Sequence, residues 1–170
     1  MEVSYHLWVK PGGEAYRRFA SLIVRLAQDM RAPVFEPHIT LLGNVRGGEE
    51  ALVGQTKSLA AQLRPFEVPF GTPDYRDAYF QCVFLHAAGV PRLLEAHGLA
   101  LRLFDHAPLS GYMPHLSLVY GLYPVERKRA VIERLPEDLP QSTLVEAVSL
   151  IRTDSDDPKD WHEICAVKLG

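Results

Sequence analysis

Along this chain, two kinds of apolar pattern alternate. Some runs are short, continuous or period-two, and rich in β-branched and aromatic residues. Others place apolar residues at three- and four-residue steps. VSYHLWV (3–9) is of the first kind and stops at Lys10-Pro11-Gly12-Gly13, which predicts a strand and then a breaker. Over residues 14–30, Tyr16, Phe19, Ile23, Leu26 and Met30 recur at helical steps, so an amphipathic helix is expected there, stopped by Pro33. A strand over 35–42, a turn at Gly47-Gly48, a helix from about Glu49 to Leu63 and a short extended piece at 66–71 follow. Pro69 marks that piece as an edge. After the loop GTPDYRD, YFQCVFLHA (79–87) reads as a strand and Pro91 to about Phe104 as a helix with proline in its first turn. A strand over 114–120, a charged helix from Pro124 to about Leu135 and the loop LPEDLPQS come next. Strands over 143–152 and 161–169, joined by the polar turn TDSDDPKD, complete the chain.

The order strand, helix, strand, helix, strand is thus written nearly twice. A period of roughly 75 residues is too long for the common repeat arrays. The pattern points to a duplicated α+β unit packed as one bilobal domain over 1–170, with repeats at approximately 1–75 and 76–170. With 170 residues the chain should bury roughly 70% of its unfolded surface, so no metal or disulfide staple is needed. The net charge of −3 argues against a broad basic field for nucleic acid, though not against one phosphate held by local donors. Cys82 and Cys165, each among apolar residues, read as buried thiols in a reducing cytoplasm. No signal peptide and no apolar run near the ~20 residues of a membrane span is seen. A cytoplasmic monomer is expected.

The chemistry lies in two related stretches, PHITLLG (37–43) and PHLSLVYG (114–121). In a strand, residues two apart share a face, so His38 projects with Thr40 and His115 with Ser117 while Ile39, Leu41, Leu116 and Leu118 turn inward. If the halves face each other, the four polar side chains surround one cleft. One neutral imidazole would take a proton from an attacking water, and the other, protonated, would give one to the leaving oxygen. Histidine, with an unperturbed pKa near 6.5, supplies both forms at neutral pH. The two hydroxyls would donate to non-bridging phosphoryl oxygens. In-line displacement at phosphorus needs acid and base on opposite sides, and no metal or cofactor enters.

These paired motifs resemble the HxT/S signature of the 2H phosphoesterase superfamily. FQCVFL (80–85), YMPHLSLVY (112–120) and the late Trp161 resemble its plant and fungal cyclic phosphodiesterase branch. The resemblance implies two antiparallel sheets lining a central cleft with helices outside. It implies hydrolysis of a small cyclic phosphate, a nucleoside 2′,3′-cyclic phosphate or ADP-ribose 1″,2″-cyclic phosphate, to a monophosphate. It assigns catalysis to His38 and His115, and phosphate binding to Thr40, Ser117 and Tyr120. Simple alternation puts Tyr120 on the wrong face, so a bulge or strand end must re-aim it. Trp8 and Phe80 match aromatics that pack on a base or sugar.

His6 is expected at an ordinary strand position, and His97 and His106 at the surface. Arg46, Arg76 and Arg152 are candidates for a distal phosphate, each weighed against a solvated charge. Asp154, Asp156 and Asp157 lack the spacing of a calcium loop. Two other functions compete: an RNA 2′,5′-phosphodiesterase or RNA-end enzyme, and a module that binds a cyclic phosphate or RNA end without cleaving it.

Overall fold

The computed structural model describes residues 3–87, 91–108 and 111–170. Strand β1 (Ser4–Val9) alternates half-buried and buried side chains before giving way to a continuously buried end. Helix α1 (Gly13–Met30) buries Phe19, Leu22, Ile23, Leu26, Ala27 and Met30 along one stripe, and Arg31 closes it in the left-handed conformation. The chain between β1 and α1 runs close against the strand at Ser142–Val145. A Cβ on Gly12 would fall 2.9 Å from the Leu144 carbonyl oxygen, and its N–H donates to Thr143 Oγ1 at 2.8 Å. Glycine is what permits that approach.

Strand β2 (Ile39–Val45), helix α2 (Glu49–Gln62) and strand β3 (Phe66–Pro69) follow. Then come β4 (Pro73–Tyr75), a 3-10 turn (Tyr79–Gln81) and β5 (Val83–His86). The second half continues with α3 (Pro91–Leu103), β6 (His115–Val119), α4 (Val125–Glu133), β7 (Ser142–Val145), β8 (Ala147–Thr153), a second 3-10 turn (Pro158–Asp160) and β9 (Trp161–Lys168). No helix among the described residues is long and apolar enough to cross a membrane.

The main sheet has the order β4-β5-β6-β2-β1-β8-β9, all antiparallel, and β3 pairs with β7 in a small second sheet. The main sheet is two halves meeting at a seam, because β2 and β6 share the single pair Ile39↔Leu116. Strands and helices cross between the halves. The C-terminal β8 and β9 extend the sheet from β1, α1 packs on β6, and α3 packs on β2.

Four local expectations differ from the structure. The first motif strand begins at Ile39 rather than 35 and runs on to Val45, since residues 33–38 lack ladder partners. The strand expected over 79–87 opens as a 3-10 turn in which Gln81 N–H bonds the Ala78 carbonyl. Residues 73–75, read as loop, add a short edge strand against β5. The strand expected over 143–152 is two, because the chain leaves the small sheet after Val145 and joins the main one at Ala147.

Candidate active site

Both motif strands carry a β-bulge one residue beyond the hydroxyl. Thr40 pairs with Trp8 and Leu42 with Leu7, so Leu41 is the extra residue of β2. Ser117 pairs with Phe84 and Val119 with Val83, so Leu118 is the extra residue of β6. Each bulge resets the alternation. Tyr120 is thereby returned to the face of His115 and Ser117, and Gly43 to the face of Thr40. The sequence required such a device for Tyr120, and the counterpart glycine went unread although it stands three residues after Thr40 as Tyr120 stands after Ser117.

His38, Thr40, His115, Ser117, Tyr120, Trp8 and Phe80 all line one cavity of about 710 Å³, within the range of small-molecule sites. The two imidazoles are held alike. His38 Nδ1–H donates to the Glu36 carbonyl at 2.6 Å and His115 Nδ1–H to the Met113 carbonyl at 2.8 Å. A carbonyl can only accept, so in the neutral rings the proton sits on Nδ1 and Nε2 carries the lone pair. The proline between each histidine and its acceptor keeps the preceding residue extended, which brings that carbonyl beneath the ring. Burial pushes His38 down to about 3, and burial also lowers His115. A neutral imidazole is the resting state of each.

His38 is held at one face and one edge. Trp8 stacks on it with centroids 3.6 Å apart and planes 8° apart, and the Tyr120 hydroxyl donates to Nε2 at a long 3.4 Å. Tyr120 in turn stacks on Phe35 at 3.7 Å, and burial raises its phenol well above the ordinary range. Trp8 is 4% exposed, with its face on His38 and Trp161 at 5.6 Å in an edge arrangement. The indole backs the histidine while still lining the cavity. Phe80, 39% exposed, does present one, with Trp161 tilted 6.1 Å away.

The two hydroxyls differ. Ser117 Oγ donates to the Phe80 carbonyl at 2.8 Å, tying the 3-10 turn to β6. Thr40's hydroxyl has no intramolecular partner among the described residues, while its carbonyl accepts from Tyr112 at 3.0 Å. Tyr112 stacks on His97 at 3.7 Å, and His97 Nδ1–H donates to the Leu41 carbonyl at 2.7 Å. His97, expected at the surface, is therefore buried against the bulge. The helical pattern around it gives no sign of this, because the carbonyl it serves is 56 residues away.

Behind Glu36, Lys10 bridges Glu36 and Glu163 at 2.8 and 2.6 Å, and Tyr16 donates to Glu36 at 2.7 Å. His6, expected at an ordinary strand position, lines the cavity, as does Arg46. Arg152 pairs with Asp154 at 2.8 Å, and Arg76 reaches Gln81 at 3.3 Å. No group of three or more His, Cys, Asp or Glu with metal-binding geometry occurs among the described residues.

A family model described as the 2′-5′ RNA ligase superfamily matches residues 10–157. A cyclic phosphodiesterase of Arabidopsis thaliana is 26% identical over 172 residues, spanning 98% of this chain and 95% of that protein. Among solved structures, E. coli LigT complexed with 3′-AMP matches with a TM-score of 0.69 at 13% identity, covering 99% of both chains. TT0787 of Thermus thermophilus matches with a TM-score of 0.62 at 18% identity, covering 98% of this chain and 97% of that one. At such identities the two structures establish a shared α+β fold.

Proposed function

The chain belongs to the 2′-5′ RNA ligase superfamily, the 2H phosphoesterases, and from that premise we propose that it is a cyclic phosphodiesterase that opens a nucleoside 2′,3′-cyclic phosphate or ADP-ribose 1″,2″-cyclic phosphate to the monophosphate. One observation carries the reading: two histidines with matched Nδ1 anchors border a single nucleotide-sized cavity. One Nε2 takes a proton from water as its oxygen bonds to phosphorus. The P–O bond to the leaving sugar oxygen breaks, and the other imidazole protonates that oxygen. The rings end with protonation exchanged and reset through solvent. A bound phosphate anion raises both imidazole pKa values from their depressed resting values, which favours the one protonated, one neutral pairing.

Thr40 donates directly to a non-bridging oxygen, and Ser117 does so by turning its hydroxyl away from the Phe80 carbonyl. Tyr120 serves the phosphate beside His38. Phe80 and Trp161 supply the apolar faces for sugar or base, and Trp8 acts through His38. A bounded cavity and a net charge of −3 favour a mononucleotide-sized substrate over an RNA track.

The test is phosphorus NMR of a 2′,3′-cyclic nucleotide with EDTA present. Wild type should form a monophosphate, and His38→Ala and His115→Ala should each lose at least ~10² in kcat, the usual share of an acid–base group. Full activity in both variants would refute it. Binding of the cyclic nucleotide without turnover in wild type would favour the non-hydrolytic module, and steep salt dependence on oligonucleotides the RNA-end enzyme.

A further inference from the structure

The cavity does not end at the two histidines. It continues along the cleft face of β1, where Ser4 and His6 follow Trp8 at two-residue steps, and is lined there also by Gly43, Asn44 and Asp156. His6 is a third imidazole in this arm, and its hydrogen bonds define its tautomer. Thr153 Oγ1 spends its single proton on the Ser4 carbonyl at 3.2 Å. It can therefore only accept at the 3.2 Å contact with His6 Nε2, so Nε2 carries the hydrogen. Nδ1 is left as a bare acceptor, with no intramolecular partner among the described residues.

Gly43 keeps this atom uncovered. A Cβ there would fall 3.3 Å from His6 Nδ1, tighter than ordinary contact, and 3.8 Å from Thr40 Cγ2. In the second motif the corresponding place is filled by Tyr120, so the two motifs leave unlike space beside their hydroxyls. Burial pushes His6 down to about 4, which keeps the acceptor uncharged at neutral pH. An acceptor left unfilled by the protein selects a ligand donor, because a ligand lacking one leaves it dry and unpaired.

We propose that His6 is a substrate-recognition residue: its Nδ1, exposed by Gly43, accepts a hydrogen bond from an O–H or N–H of the nucleoside portion beyond the scissile phosphate. It touches substrate but not the reacting atoms. This rests on the phosphodiesterase reading above for its kinetic form, though not for its binding form.

The experiment compares substrates that share the cyclic phosphate and differ in what surrounds it. His6→Leu should raise KM for nucleoside 2′,3′-cyclic phosphates about three- to tenfold, the range of one hydrogen bond, and leave glycerol 1,2-cyclic phosphate unchanged. His6→Asn, which carries an amide oxygen near the place of Nδ1, should recover most of the loss. Gly43→Ala, with His6 intact, should reproduce the nucleotide-specific loss by covering Nδ1. A loss equal across adenosine, guanosine, cytidine and uridine substrates identifies a sugar hydroxyl as donor; a loss confined to some bases identifies a base N–H. Calorimetric affinities for a nucleoside 2′-monophosphate against glycerol 2-phosphate read the same difference without turnover, so failure of hydrolysis would leave this result standing. An unchanged nucleotide KM and affinity in His6→Leu, or an equal loss on both substrate types, would overturn the proposal.

Discussion

Replacing Tyr112 by Phe removes one oxygen from the seam that sets the two motif histidines, His38 and His115, against each other. Between β2 and β6 the ladder contributes one residue pair, Ile39↔Leu116. At the Leu41 bulge the Tyr112 hydroxyl donates to the Thr40 carbonyl at 3.0 Å and the His97 ring to the Leu41 carbonyl at 2.7 Å. Tyr112 also lies three residues before His115, so its hydroxyl ties the second motif to the first. The substitution keeps the ring and its 3.7 Å stack on His97; only the donor is lost. A partly buried carbonyl left without its donor costs about 1–2 kcal/mol. For a chain of this size 1 kcal/mol moves Tm by about 2–4 °C, so a fall of about 2–8 °C is expected. Urea denaturation should show a lower midpoint at unchanged slope. Activity should fall in kcat more than in KM, because Thr40 and His38 shift without losing substrate contacts, and by less than the ~10² that a 1 Å misplacement costs. His97→Leu should show the same kinetic split. The double variant should be non-additive, since the two residues touch. If Tyr112→Phe unfolds within about 0.3 kcal/mol of wild type, below what such cycles resolve, the seam is not held in this way.

Acid should weaken the fold through the cleft histidines. His38, His115 and His6 all lie below the ordinary 6.5 because of burial, so the unfolded chain takes up protons that the native sites refuse. Stability should be insensitive to these groups above pH 6.5 and fall as pH drops from 6.5 toward 4, and His38→Asn should flatten that slope in denaturation series at pH 7 and pH 5. Lys128, 1% exposed, donates to Asp77 and, at 3.1 Å, to the Arg76 carbonyl, holding the segment that leads to Phe80. Asp77 is itself largely exposed, so Lys128→Met strands no buried charge. Stability should change by less than about 2 kcal/mol while KM rises through a looser Phe80 wall, and a loss of 3–5 kcal/mol would contradict this.

Much of this protein is written locally. The α1 stripe from Phe19 to Met30 depends only on a 3.6-residue period. The projection of His38 with Thr40, and of His115 with Ser117, depends only on a period of two. Both are properties of a segment by itself, as are the Pro-His pairs that fix the Nδ1 anchors two residues upstream. What a segment cannot specify is its partner. The bulges at Leu41 and Leu118 exist only against β1 and β5, and they decide that Tyr120 and Gly43 face the cleft. The exchange of strand at Glu146, the burial of His97 beneath β2 and the stacking of Trp8 on His38 are likewise settled by residues distant in the chain. The amino-acid order determined which polar side chains share a face within each motif; the long-range pairing of strands decided where each one stands, because register and bulge are relations between strands and belong to neither alone.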